Sequence, residues 1–125
     1  MTIRNAKQSR AAKAKGRSFE NEVVQLFKDA GFEKAERRRL AGSQDRGDIT
    51  GIDGLMVEAK AVRQITLAAF MDEVKTQTEG GELGVAFIKR RGRGAHDAYV
   101  VMSGCDFTAL FAALSSKERE KDGFL

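Results

Sequence analysis

Gly47-Asp48-Ile49-Thr50-Gly51-Ile52-Asp53-Gly54-Leu55-Met56-Val57-Glu58-Ala59-Lys60 places one acid ahead of a Glu-x-Lys pair, with a turn signal between them. From 55 to 62, Leu55, Val57, Ala59 and Ala61 alternate with Met56, Glu58, Lys60 and Val62, the period of a strand with one face packed. Glu58 and Lys60 therefore project from one face. Residues 48–51 read as the preceding strand, and Asp53-Gly54 is a hairpin turn signal. The face that Asp48 occupies depends on the loop length. A two-residue loop at Asp53 and Gly54 sets Asp48 opposite Ala59 and turns its carboxylate away from Glu58. A three-residue loop, Ile52-Asp53-Gly54 with Gly54 left-handed in a bulge, pairs Gly51 with Leu55 and sets Asp48 across from Glu58. We expect the second, in which the two carboxylates can share a cation.

Such a trio suits cleavage of a phosphodiester. That reaction needs a water made nucleophilic near neutral pH and neutralisation of the charge that builds on the phosphate and the leaving oxygen. Carboxylates hold hard ions such as magnesium, which keeps several waters and takes substrate phosphate oxygens as well. Lys60 adds positive charge; it can orient or deprotonate the attacking water, or stabilise the pentavalent phosphate, and the residue type leaves these roles open. Without the upstream acid, Glu58 and Lys60 read as a solvated strand face with a cross-strand ion pair.

At 125 residues, 42% of them hydrophobic, the chain is expected to form one domain with a real core, and it has no apolar stretch able to span a bilayer. Cys105 is the one cysteine, so no intrachain disulfide can form, and a structural zinc site is not expected without a Cys/His cluster. The N-terminus lacks the apolar core of a secretory signal, and a reducing, cytoplasmic setting is expected.

The net charge is only +4, but the positive residues are clustered. Arg4, Lys7, Arg10, Lys13, Lys15 and Arg17 all precede the first acid, Glu20. Arg37-Arg38-Arg39 and Lys89-Arg90-Arg91-Gly92-Arg93 form two further runs, and Arg46 precedes Asp48. One basic run is commonly a solvated surface, whereas three runs flanking a candidate metal site favour a polyanionic partner.

Residues 1–15, rich in Ala, Lys and Arg with no helix cap, read as a basic flexible arm, followed by a folded domain at 16–116 and a charged tail at 117–125. Ser18 is a candidate cap for a helix to about Ala30, with Phe19, Val23, Leu26, Phe27 and Ala30 as its apolar stripe and Gly31 as its stop. Strands are expected at 33–40, 48–51, 55–62, 83–88 and 98–102. Helices are expected at 67–78, with Leu67, Phe70, Met71, Val74 and Gln77 inward, and at 107–114. Helix, three strands, helix, two strands and helix make an α/β sandwich, with helices flanking a central mixed sheet of about five strands.

Gly16-Arg17-Ser18-Phe19-Glu20-Asn21-Glu22 before an apolar helix, then Gly42-Ser43, Gly47-Asp48 and Val57-Glu58-Ala59-Lys60, resembles the PD-(D/E)XK nuclease superfamily. Within it the chain most resembles the Holliday junction resolvases of archaeal and phage type. The likeness continues more loosely through the basic loop, Tyr99-Val100-Val101-Met102 and Asp106-Phe107. Gly47 stands where the superfamily name has proline. The resemblance implies a restriction-endonuclease-like fold, magnesium dependence with manganese able to substitute, no organic cofactor, and a homodimer that cuts paired strands of branched DNA. It makes Asp48 and Glu58 metal ligands, Lys60 the catalytic lysine, and Glu20 the helix-borne acid that completes the site, with Glu22 as competitor for that role. Ser43 and Gln77 are candidates for the surrounding shell. DNA contacts are expected from Arg10, Lys13, Lys15, Arg17, Arg37, Arg38, Arg39, Arg46, Lys89, Arg90, Arg91 and Arg93.

Two other readings remain open at the level of sequence. One keeps the enzyme and changes the substrate, giving a nickase, flap nuclease or exonuclease; the other is a noncatalytic DNA-binding module on the same fold. His96 is left outside the catalytic set, and Cys105 is read as a packing residue. Phe107, Leu110, Phe111 and Leu114, at helical spacing, belong to the core, or to a dimer seam if they remain exposed.

Overall fold

The computed structural model describes residues 3–38 and 48–122, with side chains at 10–38 and 48–118. In chain order the elements are α1 (Ile3–Asp29), β1 (Glu36–Arg37), β2 (Ile49–Thr50), β3 (Leu55–Lys60), α2 (Leu67–Gln77), β4 (Leu83–Ile88), a single 3₁₀ turn (Ala95–Asp97), β5 (Tyr99–Val101) and α3 (Gly104–Asp122). The five strands form one open sheet in the order β1-β2-β3-β4-β5. β3 and β4 run parallel; the other three pairings are antiparallel. A parallel pair needs a crossover, and α2 supplies it. The mixed α/β architecture and its order of elements match the expectation.

The alternation along β3 and β4 sorts the core into two layers. Val57, Val85 and Phe87 pack with Phe19 and Val23 of α1, while Met56, Ala86 and Ile88 pack with Val74 of α2. Helices thus cover both faces of the central pair, which corrects the expectation of one packed face. Met56, Val57 and Glu58 are all buried, as the middle of a parallel pair requires.

The N-terminal segment also differs. Instead of a free arm followed by a helix capped at Ser18, one helix runs from Ile3, and Ser18 lies inside it. Ala, Lys and Arg are strong helix formers, and the lone Gly16 penalises the helix without breaking it. The predicted end is correct. Gly31 adopts φ +106°, its N–H bonds the Lys28 carbonyl, the Phe32 N–H bonds that of Phe27, and the Phe27 and Phe32 rings meet edge-to-face at 5.8 Å. This double bond with its apolar contact is a Schellman stop.

At the other end, α3 starts earlier and ends later than expected, and its described course to Asp122 absorbs most of the charged tail. The expected start at 107 passed over its cap: Ser103 Oγ accepts the Asp106 N–H at 3.0 Å, the first half of a Ser-x-x-Asp capping box. Asp106 also accepts the Gly84 N–H, at 3.2 Å, tying α3 to β4. Beyond that turn Phe107, Leu110, Phe111 and Leu114 stay about half exposed, so they are not core.

Candidate active site

β2 pairs with β3 through Ile49 opposite Val57, a register that sets Asp48 opposite Glu58. This is the offset of the three-residue loop. The turn closes with the Leu55 N–H on the Ile52 carbonyl at 3.2 Å, and Gly54 is left-handed at φ +81°. Gly51, at φ +88°, comes so close to the Lys34 carbonyl that a Cβ would collide with it. The turn before β1 and the hairpin are thereby locked together.

The Asp48 backbone N–H bonds the Val57 carbonyl at 2.9 Å, and its Oδ2 accepts the Ala59 N–H at 2.8 Å. One carboxylate oxygen is thus fixed against the strand. Glu58 beside it is 3% exposed. Burial, the Asp48 charge and a side-chain hydrogen bond with Asp48 push the Glu58 carboxyl up to about 8, with Glu73 adding to the shift and Lys60 opposing it. Glu58 therefore keeps its proton near neutral pH, in a hydrogen bond with Asp48.

Lys60 lies on the same strand face, two residues along. Its ammonium is 2.7 Å from Glu73 Oε2 on α2 and 5.4 Å from the Phe70 ring centroid. Burial works against its charge, but the Glu73 hydrogen bond and the fields of Glu73, Glu58 and Asp48 outweigh burial and raise its pKa above the usual lysine value. Glu73 was missed from the sequence. On α2 it sits one turn after Phe70 and one turn before Gln77, beside the stripe already assigned inward, and that spacing was the available signal. Gln77 Oε1 is buried and finds no donor among the described residues.

Glu20 and Glu22, rivals on α1, separate clearly. Glu22 Oε1 accepts the Ala95 N–H at 3.2 Å and so pins the 3₁₀ turn to α1. The Glu20 carboxyl is raised by burial and by the Asp48 charge, against Arg37 and Arg17. Its ion-pair partner is Arg37 at 3.8 Å. Glu20 therefore senses Asp48 without joining it. Among the described residues no three acidic, histidine or cysteine side chains lie close enough to hold a metal ion together.

No family model, no curated protein and no solved structure matches this chain. The chemistry of the site must come from its own donors.

The basic residues divide by what they touch. Arg10, Lys13 and Arg17 recur every three to four residues on the exposed side of α1, one stripe that runs into Glu20. Lys89 Nζ donates to the carbonyls of Arg90 and Arg93, Arg93 pairs with Asp97 at 3.6 Å, and Arg90 lies 5.2 Å over the Tyr99 ring. These three shape their own loop. Arg38 lies just past β1; Arg39, Ser43 and Arg46, with the glycines of the quoted motif at 42 and 47, fall outside the described residues. No helix among the described residues is long and apolar enough to cross a membrane.

Proposed function

We propose that the chain is a metal-dependent DNA endonuclease with a restriction-endonuclease-like core, of the PD-(D/E)XK kind and most similar in design to Holliday junction resolvases. The observation that carries this reading is the pairing of Asp48 with Glu58 beside Lys60. Buried Glu58, held protonated beside the half-buried Asp48, is relieved when a divalent cation takes the proton's place, and an all-oxygen donor set suits a hard ion. Two protein carboxylates suffice for magnesium, which retains waters and accepts phosphate oxygens. Asp48 and Glu58 would hold it, and once bound it would neutralise charge on the phosphate and acidify a water.

The remaining residues work around that pair. Lys60, held protonated, serves as a cation at the phosphate or as a donor that orients water, not as a base. Glu73 and Phe70 fix its direction. Glu20 adds negative charge facing Asp48, and the α1 stripe of Arg10, Lys13 and Arg17 offers a rail for a phosphate backbone. The second copy needed for paired cuts would seat on the apolar face of α3.

The test is a panel of labelled four-way, flap, duplex and single-stranded DNAs with magnesium. Cleavage of the four-way junction that Asp48→Ala or Glu58→Ala abolishes, with binding largely kept, is the expected result. Preference for linear duplex or for ends would remove the resolvase label while keeping the nuclease. A noncatalytic binding module is favoured by one observation, the engagement of Lys60 by Glu73; DNA binding with no cleavage in magnesium or manganese would select it.

A further inference from the structure

Past Lys60 the chain leaves the sheet and, with α1 and the loop after β4, encloses a cavity of about 330 Å³. Four cations line it: Lys15, Arg63, Lys89 and Arg91. Val62 and Ile65 supply an apolar wall, and among the described residues no acidic side chain takes part. Arg37, Lys60 and Arg93 each meet a carboxylate, whereas Lys15, Arg63 and Arg91 find no hydrogen-bond or ion-pair partner among the described residues. Lys89 is tethered, its Nζ on the carbonyls of Arg90 and Arg93 and its N–H on the Lys60 carbonyl at 2.9 Å. The tether joins the cavity to the end of the strand that bears Glu58 and Lys60. Unpaired like charges converging from three separate segments repel one another, and a bound anion removes that repulsion.

Resting on the nuclease reading above, we infer that this cavity seats a backbone phosphate of the DNA strand being cut, on one side of the scissile bond. Arg63 and Arg91 grip the phosphate, and Val62 and Ile65 face its sugar. The three residues from Lys60 to Arg63 span at most about 10 Å, which puts the seated phosphate within about three nucleotides of the cut. A mixed cationic and apolar lining suits a sugar-phosphate better than a free inorganic anion, which has no apolar part to cover. The cavity thus sets where along the strand the carboxylates act. Arg63 was not among the residues the sequence marked for DNA, because it stands alone in a neutral stretch.

The experiment compares the full chain with its Arg63→Ala/Arg91→Ala variant, both substitutions being at exposed positions. Binding to four-way and duplex DNA is measured in calcium across a range of salt concentrations. The variant should bind about tenfold more weakly, with a salt slope shallower by about one. A single neutral methylphosphonate walked along the strand should weaken the wild type at one position near the cut and weaken the variant no further there. Unchanged affinity and slope, or additive effects of the methylphosphonate and the substitutions, would overturn the inference. So would inorganic phosphate raising the melting temperature of the wild type alone while DNA affinity stays equal, which would assign the cavity to a free anion. The two readings fail separately: a wild type that cuts DNA but whose binding ignores Arg63 and Arg91 loses only the cavity. One that binds through them and never cuts loses the nuclease and the cavity's place beside a cut, and keeps the phosphate seat.

Discussion

Lys60 and Glu73 meet at 2.7 Å, joining the central strand to the helix that crosses over to β4. Glu73 is the strongest influence raising the lysine's pKa, against the opposing effect of burial. Replacing it by Gln keeps the shape and removes the charge. In Glu73→Gln the alkaline limb of the cleavage-rate profile should move to lower pH, because Lys60 then loses its proton earlier. The rate at neutral pH should change less than about tenfold, whereas Lys60→Met should cost on the order of a hundredfold or more. Rates followed across the neutral and alkaline range decide it; an unmoved limb would mean that Lys60 does not act as a cation.

Glu58 gives the metal-free protein a pH-dependent stability. Burial and the Asp48 charge push its carboxyl from the ordinary 4.5 up to about 8 in the folded state, so between those values the folded state binds more protons than the unfolded one. Stability therefore falls as pH rises through that window and levels off above it. Glu58→Gln should flatten the dependence and raise the melting temperature at pH 8 by roughly 5 °C in the presence of chelator. Magnesium should stabilise the wild type most at the alkaline end and the variant little. Thermal melts across this range, with chelator and with magnesium, measure both.

The hairpin was legible because only one register lets Asp48 reach Glu58, and Asp53-Gly54 announced the turn. The strand core was equally plain: β4 begins and ends where the run from Leu83 to Ile88 does. What stayed hidden depended on packing between distant segments. Glu73 is an ordinary acid until α2 is laid against β3, and Arg63 is an isolated cation until α1 and the loop after β4 close around it. The N-terminal helix was hidden for another reason: the segment before Phe19 has no apolar stripe, so periodicity had nothing to detect, and propensity alone carries it.

Gly16 tests that continuous helix. It lies within α1, and a Cβ there would meet nothing within 4 Å. Gly16→Ala should increase helicity and stabilise the protein by about 0.5–1 kcal/mol. Circular dichroism with urea unfolding checks both; no gain in helicity would restore the free arm.

Two glycines of the hairpin should respond unequally. Both are left-handed, but a Cβ at Gly54 enters open space and one at Gly51 runs into the Lys34 carbonyl. Gly54→Ala should cost about 1 kcal/mol for the backbone conformation alone. Gly51→Ala should cost at least about 2 kcal/mol, since the turn before β1 must also move. Equal losses in urea unfolding would mean that this contact does not hold the hairpin.

Phe107, Leu110, Phe111 and Leu114 repeat on one face of α3, all about half exposed, with the Phe107 and Phe111 rings stacked at 6.1 Å. A large aromatic buries about 150–250 Å² when covered and a leucine less, so the exposed halves of these two phenylalanines and two leucines amount to roughly 350 Å². That is about half of one partner's share of a standard interface, and the neighbouring alanines of α3 add to it. A second copy, presenting the same face, matches such a self-complementary stripe. Leu110→Glu/Phe111→Glu should therefore convert a dimer to a monomer in sedimentation without lowering the melting temperature of the monomer, because these side chains are not core. Paired cutting of a four-way junction should then give way to single nicks. A wild type that sediments as a monomer at all concentrations would remove the second copy from this face.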